Sequence, residues 1–178
     1  MYYARLIDKD VANGIGFGVA LFVSGCRGNC KGCFNQEAWS FTYGIEFTND
    51  TMQEIIELLS RPYVKYFAIL GGDPLEPENK GEVLRICQEV RKRFHDIKIN
   101  IWTRFLYEEL MNDDICSKVL SYCNLLVDGE FILEKKDITL SHRGSSNQRI
   151  IDLDKTRETG ILCLDTNLMS VGGNICLT

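Results

Sequence analysis

Short apolar runs alternate along this chain with longer stretches in which apolar side chains recur at three- and four-residue intervals. Val19-Ala20-Leu21-Phe22-Val23 is continuously apolar and stops at Gly25, the pattern of a buried strand. Tyr66-Phe67-Ala68-Ile69-Leu70 repeats it and stops at Gly71-Gly72. Ile97 to Trp102 alternates apolar and polar residues, Asn124-Leu125-Leu126-Val127 ends at Asp128-Gly129, and Arg149 to Leu153 is a candidate fifth strand. Between these runs the period changes. Thr51 and Glu54 are spaced as a capping box ahead of Ile55, Ile56, Leu58 and Leu59. Val83, Cys87, Val90 and Phe94 mark one face of a helix within Glu78 to Phe94. Tyr107 to Met111 and Ile115 to Leu120 read as helical, interrupted by Asn112-Asp113-Asp114.

Strands alternating with helices predict an α/β chain with a mostly parallel open sheet and helices outside. With 178 residues and no internal repeat or flexible linker, a single domain is expected. Parallel sheets collect their chemistry at the C-terminal ends of the strands. Four marked features fall there: Cys26 to Cys33, Gly71-Gly72-Asp73-Pro74, Thr103 and Asp128-Gly129.

The charges refine this picture mainly by exclusion. A formal charge of −5, with acids and bases interspersed, argues against a nucleic-acid binder that relies on neutralising phosphates. Arg91-Lys92-Arg93, with Arg85 nearby, reads as the solvated face of a helix. No apolar run reaches membrane-spanning length, and Met1-Tyr2-Tyr3-Ala4-Arg5 does not open a secretory signal, so no membrane association and a cytoplasmic location are expected. Eight cysteines in such a chain suggest metal or redox chemistry before disulfides. Only His95 and His142 are available as imidazoles, which weakens zinc-hydrolase and Ser-His or Cys-His readings.

Cys26-Arg27-Gly28-Asn29-Cys30-Lys31-Gly32-Cys33 places three thiols within one short loop, where two glycines allow a tight fold. Thiolates are the soft ligands an iron–sulfur cube requires, and three of them leave one iron open for a small molecule. A zinc site completed by a distant cysteine is the competing reading, but it ordinarily uses a second Cys pair, which is absent here. Cys87, Cys116 and Cys123 read as core packing. Cys163 and Cys176 in the tail are open to packing, a redox pair or a further metal site.

Cys-x3-Cys-x2-Cys after a first strand resembles the signature of the radical S-adenosylmethionine superfamily, and Gly71-Gly72-Asp73-Pro74 resembles its Gly-Gly-Glu-Pro motif. The resemblance is closest to the activating proteins of anaerobic ribonucleoside-triphosphate reductase. It is carried by Asn13-Gly14, Leu21 to Cys26, Cys30 to Asn35, Gly71 to Leu75, Ile101-Trp102-Thr103, Leu126 to Phe131 and, most specifically, Arg143-Gly144-Ser145-Ser146-Asn147-Gln148-Arg149. It spans residues 1–153, taken as the core domain, and leaves 154–178 as an extension of open role. Two departures stand out. Arg104-Phe105 replaces the Gly-Tyr common after Trp-Thr, and Asn13-Gly14-Ile15-Gly16 replaces Asn-Gly-Pro-Gly.

The resemblance implies a partial (β/α) barrel holding a [4Fe–4S] cluster on Cys26, Cys30 and Cys33. It implies S-adenosylmethionine as cosubstrate, in contact with Gly32, Cys33, Phe34, Gly71, Gly72 and Asp73; Thr103 and Asp128, by their place at strand ends, are further candidate contacts, Asp128 for a ribose hydroxyl or a cation and equally as a strand-end cap. An external one-electron donor such as a flavodoxin or ferredoxin would reduce the cluster. Cleavage of the sulfonium would give methionine and a 5′-deoxyadenosyl radical, which takes a hydrogen atom from a glycine Cα of the reductase. A chain this short cannot wall off its substrate, which suits a protein partner. The Arg143–Arg149 loop could dock the reductase or order itself over the cosubstrate. An activase for another glycyl-radical enzyme, a small-molecule radical enzyme and a zinc interaction module are the alternatives.

Overall fold

The computed structural model describes residues 1–169, 175 and 176. In chain order its strands are β1 (Tyr2–Asp10), β2 (Phe17–Val23), β3 (Ile45–Glu46), β4 (Val64–Gly71), β5 (Lys98–Trp102), β6 (Leu125–Asp128), β7 (Arg149–Asp152), β8 (Cys163–Leu164) and β9 (Ile175–Cys176). The helices are α1 (Asn49–Leu59), α2 (Lys80–Arg93), α3 (Tyr107–Leu110), α4 (Asp114–Tyr122) and α5 (Leu153–Thr159). The nine strands among the described residues join one sheet in the order β3-β1-β2-β4-β5-β6-β7-β8-β9.

The expected parallel arrangement holds for the centre, where β2, β4, β5 and β6 pair in parallel through helical crossovers. Both flanks are antiparallel, so the sheet is mixed. The short connection between β1 and β2 contains no helix to carry the chain back across the sheet, and it therefore forms a hairpin. The sequence pattern missed β1 because Arg5, Lys9 and their neighbours leave it largely half-exposed. The apolar run at Val19–Val23 is consequently the second strand.

The central strands alternate strictly across the sheet. Val19, Leu21, Val23, Phe67, Ile69, Ile99, Ile101 and Leu126 face the helices and join Ile55, Leu59, Val83, Ile86, Val90 and Val119 in the main core. Ala20, Phe22, Tyr66, Ala68, Leu70 and Trp102 point to the opposite face. Cys87, Cys116 and Cys123 are buried in the helix-side core, as predicted.

Two local expectations are corrected. The cap of α1 is Thr48, which accepts from Thr51 N while Thr51 reciprocates, so the helix starts ahead of the predicted box. Arg91 is no solvated residue: its guanidinium donates to Ile97 O at 2.9 Å, Tyr122 O at 2.7 Å and Asn124 Oδ1 at 2.9 Å, stapling α2 to the following segments.

Beyond β7 the chain continues on the same sheet. Asp165 N donates to Ile150 O at 2.8 Å, and Leu168 and Met169 pack against Leu125, Val127 and Ile150 on the helix-free face. Cys163 is buried and stands opposite Cys176 in the β8–β9 ladder; what was left open for the Cys176 side chain lies outside the described residues.

Candidate functional site

The cysteine loop leaves the end of β2 through Gly25, whose φ of +100° suits glycine and whose missing Cβ makes room for the Phe41 ring. Gly25 N donates to Ala38 O at 2.8 Å and Cys26 N to Trp39 O at 3.1 Å, pinning the loop at its base. Cys26 Sγ accepts from Gly28 N and Cys33 Sγ from Asn35 N, each at 3.4 Å. A Cβ on Gly28 would lie 3.4 Å from both Cys26 Sγ and Cys30 Sγ, so two of the sulfurs flank a bare glycine. All three thiols open onto one cavity of about 580 Å³. Burial, reinforced by Asp73 and Glu76, pushes the Cys26 thiol up to about 11, and burial with Glu130 raises Cys30. Without a metal to hold the thiolate, both are protonated at neutral pH.

The loop after β4 interlocks with this one. Gly71 has a φ of +112°, and a Cβ there would lie 2.5 Å from Val23 O. A Cβ on Gly72 would lie 2.7 Å from Gly25 O and 2.8 Å from Ala38 O. Glycine is therefore demanded by the backbone's own approach to the cysteine loop. Asn79 Nδ2 ties the two loops together through Ser24 O at 3.0 Å and Asp73 O at 2.9 Å.

Asp73 is buried, and burial raises its carboxyl to about 6 despite donors from Arg104 N, Leu75 N and the Thr103 hydroxyl. Glu76, also buried, accepts from Arg27 N and Arg27 Nη1, both at 2.8 Å, and from Arg104 Nη2 at 3.2 Å. The second loop thus grips the first through charge as well as shape.

The cavity brings together most of the residues singled out from the sequence. Cys26, Cys30, Cys33, Phe34, Gly71, Gly72, Asp73 and Thr103 all line it. Thr103 directs its hydroxyl to Asp73. Phe34, 63% exposed, packs edge-on against Phe131 with ring centres 5.5 Å apart. Gly32 stands beside the cavity with φ +74°, its missing Cβ leaving room for Leu133. Asp128 is placed differently. It is fully buried at the end of β6, accepting from Tyr107 N at 2.8 Å and from the Arg149 guanidinium, and it is Gly129 after it that reaches the cavity.

The Arg143–Arg149 loop is ordered against the end of β6. Gln148 accepts from Gly144 N and Ser145 N and donates to Gly129 O, while Asn147 donates to Glu130 O. Sequence reasoning missed Glu76, Asn79 and Arg104 as loop-holding residues, and Trp102 and His142 as lining. Glu76 and Asn79 were within reach, since both fall just beyond the Gly-Gly-Asp-Pro motif; nothing in the sequence marked His142.

Three cavity-facing thiols, two of them accepting a backbone N–H, form a donor set suited to an iron–sulfur cluster. Among the described residues no three His, Cys, Asp or Glu side chains gather as a single-ion site. A cube spaces its thiolates more widely than one ion does.

Residues 12–151 match the family model described as a 4Fe-4S single cluster domain. A relative from Vibrio cholerae, an anaerobic ribonucleoside-triphosphate reductase-activating protein, is 41% identical over 152 residues, covering 84% of this chain and 97% of its own. Proteins of the same name from Escherichia coli and Enterobacteria phage T4 are 37% identical (83% of this chain, 96% of the relative) and 34% identical (84% and 93%). The iron–sulfur class is thereby set, and the chain belongs to the family of anaerobic ribonucleoside-triphosphate reductase-activating proteins. No helix among the described residues is long and apolar enough to cross a membrane.

Proposed function

We propose that this chain is a radical S-adenosylmethionine activase that generates a glycyl radical on an anaerobic ribonucleoside-triphosphate reductase. The observation that carries the reading is the convergence of Cys26, Cys30 and Cys33 with Gly71-Gly72-Asp73 on one cavity at the C-terminal ends of parallel strands. The names and near-full coverage of the relatives supply the partner. In this reading the four parallel strands are the core of a partial barrel, residues 1–153 carry the activity, and 154–178 extend it. A cytoplasmic location and a flavodoxin- or ferredoxin-like electron donor belong to the same reading.

Cys26, Cys30 and Cys33 would hold a [4Fe–4S] cluster. Bound there, it would supply the electron that cleaves S-adenosylmethionine to methionine and the radical that takes hydrogen from the partner's glycine. The protein's share is positioning. Backbone N–H groups at Cys26 and Cys33 would offset the charge of a reduced cluster. The Gly71–Asp73 backbone, pinned by Asn79 and by Asp73's own donors, presents fixed polar groups to the methionine end of the cosubstrate. Phe34 and Phe131 give an apolar rim that excludes water.

The test is anaerobic incubation of cluster-loaded protein with reductant, S-adenosylmethionine and the cognate reductase. A glycyl radical signal on the reductase, with 5′-deoxyadenosine formed alongside, is the expected outcome. Cosubstrate cleavage with no radical on that partner would point to a different target.

A further inference from the structure

Among the described residues, the buried charge set against the cysteine loop is mostly negative. The Asp73 and Glu76 side chains are each only 1% exposed. Both residues stand on the loop itself: Asp73 N donates to Gly25 O at 2.9 Å, and Glu76 Oε1 accepts from Arg27 N at 2.8 Å. Burial keeps their fields strong, because little water is present to weaken them. Most of the nearby cations are exposed. Lys31 and Lys136 lie on the surface, and Arg27, 52% exposed, divides its guanidinium between Glu76 and Glu78. Such charges are screened by solvent and salt.

Arg104 is placed differently. Its side chain is 23% exposed and lines the cavity. A Cβ on Gly28 would stand 2.9 Å from Arg104 Cδ and 3.4 Å from both Cys26 Sγ and Cys30 Sγ, so the arginine stem and two of the sulfurs crowd round the same bare glycine. The guanidinium is fixed from several sides. Nη2 donates to Glu76 Oε1 at 3.2 Å, Nε lies 3.9 Å from Asp73 Oδ2 and Nη1 lies 3.8 Å from Glu130 Oε1. Cζ sits 4.1 Å from the centre of the Phe105 ring. Arginine keeps its charge at any working pH, so a permanent cation is held beside both buried carboxylates and the cysteine loop. Arg143, the other arginine lining the cavity, belongs to the loop before β7 and is tied to Gln148 O at 2.7 Å.

We infer that Arg104 sets how readily a cluster on Cys26, Cys30 and Cys33 accepts its electron. The inference rests on the iron–sulfur reading and deepens it by assigning a residue to the cluster's reduction potential. One electron from the external donor makes the cluster more negative by one charge, with no bond made or broken. A carboxylate close by therefore opposes the step and a cation favours it. Asp73 and Glu76 hold the potential low, which suits a cluster that must pass its electron on to a sulfonium. Arg104 offsets part of that opposition and keeps the cluster within reach of a one-electron protein donor. Without the guanidinium, Asp73 retains only neutral donors and Glu76 retains only Arg27.

The test is an anaerobic redox titration of cluster-loaded protein without S-adenosylmethionine, followed by electron paramagnetic resonance of the reduced cluster. Wild type is compared with Arg104→Gln, Arg104→Met, Arg104→Lys and Arg27→Gln. A pH of 8.5, well above the Asp73 value of about 6, keeps that carboxylate charged. Arg104→Gln and Arg104→Met should each lower the ratio of reduced to oxidised cluster at a fixed potential at least tenfold, which is about 59 mV for a one-electron couple. Arg104→Lys, which keeps the charge, and Arg27→Gln, which removes an exposed one, should stay within about threefold of wild type. An unaltered ratio in the two neutral variants at Arg104 would overturn the inference. An equal fall in Arg104→Lys or Arg27→Gln would do the same, since it would mark a disturbed loop and not a lost charge. Loss of the cluster from both neutral variants would make Arg104 a residue of cluster retention and equally overturn it. Wild-type protein that binds no iron and sulfide would instead bring down the reading on which the inference rests.

Discussion

Replacing Thr103 with Val keeps the approximate shape of a buried side chain and removes the hydroxyl that donates to Asp73 at 2.8 and 3.0 Å. Phe105 N–H, 3.3 Å from the same oxygen, loses an acceptor. A hydrogen bond to a charged group contributes about 1.5–3 kcal/mol. Asp73 keeps its bonds from Leu75 N and Arg104 N, so the lower part of that range applies, about 2 kcal/mol at pH 7.5. For a chain of this size that lowers Tm by roughly 4–8 °C.

The pH dependence sharpens the test. Burial raises the Asp73 carboxyl from 3.8 to about 6, so the folded chain holds this proton more tightly than the unfolded chain does. The associated stability is complete below pH 3.8 and is lost as the pH rises through about 6. Without the Thr103 hydroxyl the folded pKa rises further, and the loss continues to higher pH. The cost of Thr103→Val is therefore largest where Asp73 is ionised and falls below about 1 kcal/mol near pH 4.5. Anaerobic urea denaturation of cluster-free protein, followed by far-UV circular dichroism at both pH values, measures it. An equal or greater cost at the lower pH would show that Thr103 does not act through the Asp73 charge.

Other substitutions probe the remaining supports. Cys30→Ala should abolish cluster assembly, seen as iron and sulfide content, while shifting stability by less than about 0.5 kcal/mol because the loop lies outside the core. Gly71→Ala forces a Cβ to 2.5 Å from Val23 O at a φ of +112° and should cost about 2–4 kcal/mol by denaturant titration, with loss of cluster retention. Arg149→Leu leaves Asp128 buried with only the Tyr107 N–H in support, and should destabilise by about 3 kcal/mol at neutral pH.

What the sequence disclosed and what it hid divide along physical lines. The central strands were legible because residues such as Val19–Val23 and Tyr66–Leu70 are buried on both faces and read as continuous apolar runs. The cysteine and glycine positions were legible because their chemistry and backbone demands are local to a few residues. The β1 hairpin and the antiparallel flank were not, since half-exposed strands carry mixed residues and strand direction depends on what connects them. Asp128 was a candidate cosubstrate contact by its place at a strand end. Its engagement by Arg149, 21 residues away, is a tertiary pairing that no local pattern announces. The Glu76 network with Arg27 and Arg104, and the unpartnered ring of His142, are of the same kind.

Electron paramagnetic resonance of the dithionite-reduced protein, prepared anaerobically and read with and without S-adenosylmethionine, bears most directly on whether three thiols here hold a cube with one open iron. A reduced-cluster signal that changes on adding the cosubstrate is expected, from protein carrying about four irons and four sulfides per chain. Zinc without sulfide, or a cluster signal indifferent to S-adenosylmethionine, would contradict it.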